Sequence, residues 1–125
     1  SRLRRHFSDS AVYEVRSTAF GCRLIGPDAI FAGIKKSLDG FDRRLGSREI
    51  AIISVRDATD TTLEVSWVVT YTKEGAPPLR LRGSTRATYD AGRIVHLCDS
   101  YEASMDREAE AWVATHAPEL DVSYV

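Results

Sequence analysis

The chain has 125 residues, 43% of them hydrophobic and 28% charged, and its formal net charge is -1. These values predict one globular domain over residues 1–125, large enough to bury a core without disulfides or metals. The near-zero charge argues against a nucleic-acid partner. No apolar run approaches the roughly 20 residues that a membrane-spanning helix needs.

Cysteine and histidine are too few and too scattered to indicate a metal site. Cys22 and Cys98 are the only cysteines, and His6, His96 and His116 lack ligand-like spacing. We therefore expect no metal, no disulfide and two reduced thiols in the core, as is typical of a cytoplasmic protein. No glycine-rich phosphate loop is present either, so no cofactor is predicted.

The first forty residues predict one clear helix. Residues 3–7 look like the end of a helix, residues 11–15 alternate as a strand, and residues 16–25 show no regular pattern. Residues 26–41 predict a helix, because Pro27 suits the first helical position and apolar residues recur every three or four positions.

The second half of the chain has the period of two that is typical of strands. Strands are predicted at residues 48–57, 63–72, 79–90 and 93–102, followed by a short helix at 106–116. Short turns join the strands, which favours an antiparallel meander. Helices segregated from such a sheet define the α+β class.

The last predicted strand carries an acidic residue on the side that should be apolar. Asp99 is in phase with Leu97 and Tyr101, because side chains two apart along a strand share a face. The strand at 63–72 shows the same alternation clearly, and one of its faces is entirely apolar or aromatic: Leu63, Val65, Trp67, Val69 and Tyr71.

Three stretches, in this order, resemble the nuclear transport factor 2-like superfamily, particularly its SnoaL-like and ketosteroid-isomerase-like branch. "HFSDSAVYEV" is similar to the family's passage into its first strand, and "GPDAIFAGIKKSLDGF" to the opening of its long helix. "GRIVHLCDSYE" is similar to its closing strand, whose aspartate matches Asp99. The resemblance covers about residues 5–102 and leaves 103–125 as a C-terminal helix and tail.

The resemblance implies a cone-shaped, curved antiparallel sheet wrapped around helices, a cystatin-like α+β barrel with a pocket inside. It also implies a long first helix. Because the chain begins at Ser1 and its only methionine is Met105, we expect that helix to be missing from this chain, or a partner to cover its place.

The resemblance further implies that the apolar face lines the cone, which is the face that the alternation selects. Asp99 is then expected to point into a largely apolar pocket for a small apolar ligand, where burial raises the pKa of its carboxyl group. The expected lining of this ligand pocket is Tyr13, Val15, Trp67, Val69, Tyr71, Thr85, Ala87 and Leu97.

By analogy with the family's cyclases, Asp99 is the candidate catalytic acid or base for cofactor-free chemistry of the isomerase, cyclase or dehydratase type on a small carbonyl compound. Tyr101, Tyr71 or Tyr13 would polarise the carbonyl oxygen. Steroid isomerisation is not expected, because Val15 and Thr85 stand where the family's ketosteroid isomerases carry their two working aspartates.

A second reading makes the chain a non-catalytic dimerisation or ligand-binding module. In that reading Asp99 only accepts hydrogen bonds from Tyr71 or Trp67. Arginines alternate on the opposite face of the 79–90 strand: Arg80, Arg82 and Arg86. They would pair with acids such as Glu64, or would contact a second copy in a homodimer formed through the sheet face.

Overall fold

A computed structural model describes residues 2–125. Short 3-10 helices occur at Arg4–His6 and Asp42–Arg44. The strands and helices, in chain order, are β1 (Phe7–Arg16), β2 (Cys22–Ile25), α1 (Pro27–Gly40), β3 (Ser47–Thr59), β4 (Thr62–Thr72), β5 (Leu79–Asp90), β6 (Arg93–Tyr101) and α2 (Ala103–His116).

The six strands form one curved sheet in the order β2-β1-β6-β5-β4-β3. The meander from β3 to β6 is antiparallel, as expected, and the α+β class is confirmed. The expectation of a wholly antiparallel sheet is wrong, because β1 runs parallel to β6. These strands lie far apart in sequence, so local periodicity carries no sign of their relative direction. The sheet does not close into a barrel.

The N-terminal elements differ most from those predicted. Residues 3–7 contain only one turn of 3-10 helix, and β1 begins at Phe7, with an irregular register between Phe7 and Val12. The segment predicted as irregular contains β2, which pairs with Val12–Val15. Four residues are too few for an alternation to stand out from a loop, and β2 exists because β1 offers it a free edge.

Helix α1 forms as its sequence predicts. Gly26 precedes it with a φ of 87°, a backbone conformation that glycine adopts without strain, and Pro27 takes the first turn. Asp28 lies at the positive end of the helix dipole. The helix ends where the backbone N–H of Phe41 bonds to the carbonyl of Ser37.

Helix α2 begins three residues earlier than predicted, at Ala103, and packs at one end of the sheet. Ala109 and Trp112 are buried, and the Trp112 indole N–H donates to the carbonyl of Pro77 at 2.7 Å. The buried Asp106 of α2 accepts a hydrogen bond from the hydroxyl of Ser17 at 2.5 Å, and this bond connects the loop before β2 to the helix.

The core lies on the concave face of the sheet, beneath α1 and the C-terminal tail. Its fully buried large side chains are Ile30 of α1, Phe41 and Leu81 of β5. Strand β3 is the other edge of the sheet, and Ile50 and Ile52 on it remain exposed. Within residues 2–125, neither helix is long and apolar enough to span a membrane.

Candidate functional site

Asp99 lies in the middle of the sheet, on β6, with β1 and β5 on either side. Its Cα is level with those of Val15 on β1 and Thr85 on β5. The Thr85 hydroxyl donates to Oδ1 of Asp99 at 2.5 Å, and the Tyr13 hydroxyl donates to Oδ2 at 2.7 Å. Each carboxylate oxygen therefore has one neutral donor.

A third donor orients this arrangement from β4. The indole N–H of Trp67 donates to the Thr85 hydroxyl oxygen at 2.9 Å, so that hydroxyl can donate onward to Asp99. The sequence-based alternative, in which Trp67 or Tyr71 bonds directly to Asp99, is therefore wrong. Strand register explains why, since Thr85 is the residue directly opposite Asp99.

Burial raises the pKa of the Asp99 carboxyl group above its ordinary value. The hydrogen bonds from Thr85 and Tyr13 act in the opposite direction, because they favour the ionised form, but desolvation is the larger effect. Within the described chain, no lysine, arginine or histidine forms an ion pair with this carboxylate. Such a group holds a proton more readily than a surface aspartate does.

A cavity of about 390 Å³ lies against Asp99 on the concave face. Helix α1, the strands from β3 to β6, and β1 all contribute to its wall. Its apolar lining includes Ile34, Leu38, Ile50, Ile52, Val65 and Val69. Apolar walls with a few convergent polar groups are typical of small-molecule sites. No cluster of residues suited to hold a metal ion occurs in the region from 2 to 125.

Most of the residues predicted from the sequence meet at this cavity. Asp99 is joined on its wall by Tyr13, Trp67, Val69, Tyr71, Thr85 and Tyr101. Three residues of the expected lining are not on the wall: Val15, Ala87 and Leu97. Ala87 and Leu97 pair two positions beyond Thr85 and Asp99, towards the β5–β6 turn, and Val15 is buried in the core. Alternation selects a face, but it does not show how far along the strands the open space extends.

Tyr101 presents an available hydroxyl to the cavity. Its ring packs edge-on against Trp67, with ring centroids 5.3 Å apart. No hydrogen bond from its hydroxyl to another described residue is formed, and none of the fully buried side-chain polar atoms in this region lacks a partner. The hydroxyl therefore contacts accessible space. Burial raises the pKa of Tyr101, so it remains a hydrogen-bond donor at neutral pH.

Two further parts of the wall were not predicted from the sequence. Tyr124 of the C-terminal tail lines the cavity, with its ring 6.1 Å from that of Tyr13. The tail fits against α1 at Gly33, where an added Cβ would lie 3.0 Å from the Tyr124 carbonyl oxygen. The tail has no periodicity, so nothing in the sequence indicates where it packs.

The second unpredicted part is an ion pair at the β3 side of the cavity. Nε of Arg48 lies 2.7 Å from a carboxylate oxygen of Asp42, and both residues line the wall. Burial raises the pKa of Asp42, although Arg48 opposes that shift. Alternation along β3 could place Arg48 on the inner face, but Asp42 comes from the 3-10 helix before it, and only the folded chain brings the two together.

The other face of the sheet is charged and carries ordinary surface pairs. Glu64 accepts hydrogen bonds from Arg56 at 2.9 Å and from Arg86 at 3.0 Å. His96 faces this side too, 3.4 Å from Glu14, and so has no contact with Asp99. Arg80 and Arg82 line a groove of about 590 Å³ here, together with Glu64 and Glu102.

Known proteins resemble this chain in structure but not in sequence. No family model and no curated protein matches the chain. A hypothetical protein with a ketosteroid isomerase-like fold from Catenulispora acidiphila, solved with trimethylamine, is 17% identical, with a TM-score of 0.67 over 93% of this chain and 85% of that one.

A putative SnoaL-like polyketide cyclase from Jannaschia sp. is 13% identical, with a TM-score of 0.67 over 93% of this chain and 77% of that one. A nuclear transport factor 2-like protein of unknown function from Burkholderia pseudomallei is 12% identical, with a TM-score of 0.68 over 87% and 80%. The chain therefore has the nuclear transport factor 2-like fold, and the resemblance seen in its sequence is confirmed at that level.

Proposed function

We propose that this chain is a small-molecule-binding domain of the SnoaL-like type, in which Asp99 performs cofactor-free proton transfer on a small carbonyl compound. The observation that carries the proposal is a carboxyl group held by two neutral donors on the wall of a largely apolar cavity. The likeness in fold to a putative polyketide cyclase supports the reaction class. The proposal includes a cytoplasmic location, in keeping with the free thiols of Cys22 and Cys98.

In the proposed reaction, ionised Asp99 removes a proton from the carbon next to a carbonyl group. The electron pair of the broken C–H bond moves onto the carbonyl oxygen, and an enolate forms. The hydroxyl of Tyr101 donates a hydrogen bond to that oxygen and stabilises its charge. Asp99 then returns the proton to carbon, at the same or another position, which gives isomerase-type chemistry.

The surroundings of Asp99 suit both halves of this cycle. Desolvation raises the pKa of the carboxyl group, so the protonated form can act as the acid that returns the proton. Tyr13 and Thr85 hold both oxygens in place, which orients the group without neutralising it by a cation. Tyr13 and Thr85 are therefore positioning residues, whereas Asp99 and Tyr101 contact the substrate.

The test is hydrogen–deuterium exchange at the carbon beside a carbonyl, followed by proton NMR in D₂O with 1-indanone and 2-tetralone as probes. We expect the chain to accelerate exchange above the buffer rate and Asp99→Asn to lower that acceleration by about 100-fold or more. Tyr101→Phe lowers it less, because it removes one stabilising donor. Asp90→Asn, at an exposed position far from the cavity, is the matched control.

An Asp99→Asn variant that exchanges these protons as fast as the wild-type chain would overturn the proposal. So would a wild-type chain that leaves both ketones at the buffer rate. Circular dichroism of each variant shows that its fold is retained, so a loss of exchange is assigned to the missing carboxyl group.

A second candidate function, dimerisation through the outer sheet face, is favoured by one observation there. Arg80 and Arg82 have no acidic partner among the described residues, while Glu102 lines the same groove. A face that carries both charges is complementary to a second copy of itself. We expect Arg82→Glu to shift a dimer to monomer in analytical ultracentrifugation. A wild-type chain that sediments as a monomer at high concentration would remove this candidate.

A further inference from the structure

The cavity has a second polar group, and it lies at a different level of the sheet from Asp99. Thr85 and Asp99 are level with Val65 of β4. Arg48 is level with Tyr71, six residues further along the same strand. The proposed reaction uses Asp99 and gives Arg48 no role.

Arg48 carries more N–H donors than its contacts within the chain can use. A guanidinium group carries five N–H donors in a planar fork. Nε of Arg48 lies 2.7 Å from a carboxylate oxygen of Asp42 in an ion pair, and the Tyr71 hydroxyl lies beside the guanidinium. No further acidic partner of Arg48 occurs in the described residues. Because its side chain is 37% exposed and lines the cavity, the remaining N–H groups can reach a bound molecule.

Asp42 gives the fork a defined direction. Its side chain is only 11% exposed, and it comes from the 3-10 helix that follows α1, so it is part of the packed structure. A buried carboxylate needs its cationic partner, which holds Nε in one place. This ion pair restrains the guanidinium beside the cavity, and a restrained planar fork suits recognition of a planar anion.

We infer that the ligand of this cavity is an apolar carbonyl compound that also carries a carboxylate group, and that Arg48 binds the carboxylate. The inference rests on the proposed function, because it places the ligand's carbonyl group at Asp99 and Tyr101. The apolar walls between the two polar groups, among them Ile50, Ile52 and Val69, accommodate the body of the ligand.

A carboxylate fits this site better than a phosphate does. The planar fork matches two carboxylate oxygens, and among residues 2–125 the cavity wall includes one arginine and no lysine. Asp42 already compensates part of the charge of Arg48, so a monoanion is accommodated more readily than a dianion.

The test compares 4-oxo-4-phenylbutanoate with its neutral amide, 4-oxo-4-phenylbutanamide, by isothermal titration calorimetry. Both share the phenyl ketone and differ only in the charge of the far end. We expect the wild-type chain to bind the acid at least about tenfold more tightly than the amide, as charge-assisted hydrogen bonds imply. Arg48→Lys keeps the charge without the fork and lowers that preference.

Removing Arg48 alone leaves Asp42 unpaired, so the decisive variant is the double change Asp42→Asn with Arg48→Gln. It has no unpaired buried charge, and we expect it to bind the acid no better than the amide while its affinity for the amide is unchanged. Arg93→Gln, an exposed arginine near the β5–β6 turn, is the matched control and keeps the full preference.

The outcomes separate this inference from the proposed function. Equal binding of acid and amide by the wild-type chain, or a preference that survives the double change, overturns the role of Arg48. Proton exchange on the amide depends on Asp99 and not on Arg48, so it tests the proposed function by itself. A preference that depends on Arg48, without exchange that depends on Asp99, would retain the carboxylate site and refute the chemistry. Failure of both probes to bind overturns the role of Arg48, while the proposed function is decided by exchange on 1-indanone and 2-tetralone.

Discussion

Asp99 and Glu64 are two carboxylates on opposite faces of one sheet, and their surroundings shift their acidity in opposite directions. Asp99 faces the cavity, where burial raises its pKa and only hydroxyl groups donate to it. Glu64 faces outward, where hydrogen bonds from Arg56 and Arg86 hold its pKa below the usual range.

Burial raises the pKa of Asp99, and two adjacent residues of β5 give the two carboxylates different donors. Thr85 points inward and supplies Asp99 with a neutral donor, whereas Arg86 points outward and supplies Glu64 with a charged one. The inner carboxyl group therefore holds its proton to a higher pH than the outer one does. Two consecutive positions of β5 thus face a candidate acid–base residue on one side of the sheet and a surface ion pair on the other.

Truncation of the core should show the largest difference between the two faces. Leu81 is 0% exposed on the inner face of β5, and the next residue, Arg82, is exposed on the outer face. We expect Leu81→Ala to lower the free energy of unfolding by about 2 to 5 kcal/mol, and Arg82→Ala to change it by about 0.5 kcal/mol or less. Urea denaturation measures both. Equal effects would show that the outer face packs against a partner.

Removing one hydroxyl group from the inner network should have the next largest effect. Thr85→Val leaves Oδ1 of Asp99 and the indole N–H of Trp67 without their partner, and we expect a loss of about 1 to 3 kcal/mol in unfolding free energy. The neighbouring Ser84→Ala change on the outer face is the control, with an effect of about 0.5 kcal/mol or less. A neutral Thr85→Val variant would contradict the network.

The pH dependence of stability should distinguish the inner carboxyl group directly. Because the folded pKa of Asp99 is raised, the unfolded chain loses this proton first, and the folded state loses stability as pH rises above the unfolded pKa of about 4. Asp99→Asn lacks this loss. As pH rises, we expect the free energy of unfolding of the variant to increase relative to that of the wild type. The total increase is about 1.4 kcal/mol for each unit by which the pKa of Asp99 is raised. Urea denaturation from pH 4 to 8 tests this, and a constant difference would contradict it.

The outer carboxylate should give the smallest effect, with the opposite sign. Its folded pKa is lowered, so Glu64 contributes stability above its unfolded pKa and loses that contribution as pH falls. Glu64→Gln should therefore be slightly less stable than wild type at neutral pH and equal to it in acid. Added salt should reduce the difference, because it screens exposed pairs. A difference that persists in high salt would indicate a buried pair.

The sequence alone predicted the elements with strong periodicity and the face that each strand presents. Helix α1 and the meander from β3 to β6 agree with their patterns, and Asp99 lies on the inner face with Tyr101 as its phase requires. These features follow from side-chain spacing along one segment. Strand β2 and the parallel pairing of β1 with β6 depend on distant segments, and their own residues carry no sign of them.

The site divides in the same way. The acidic residue, its face and the aromatic residues around it follow from alternation and composition, because a strand has only two sides. Tertiary structure decided which residues donate to Asp99 and why the cavity stops short of Ala87 and Leu97. It also decided where Tyr124 packs and that Asp42 pairs with Arg48. These features depend on strand register, on the curvature of the sheet and on how the tail packs against α1, and these are properties of several segments meeting in space.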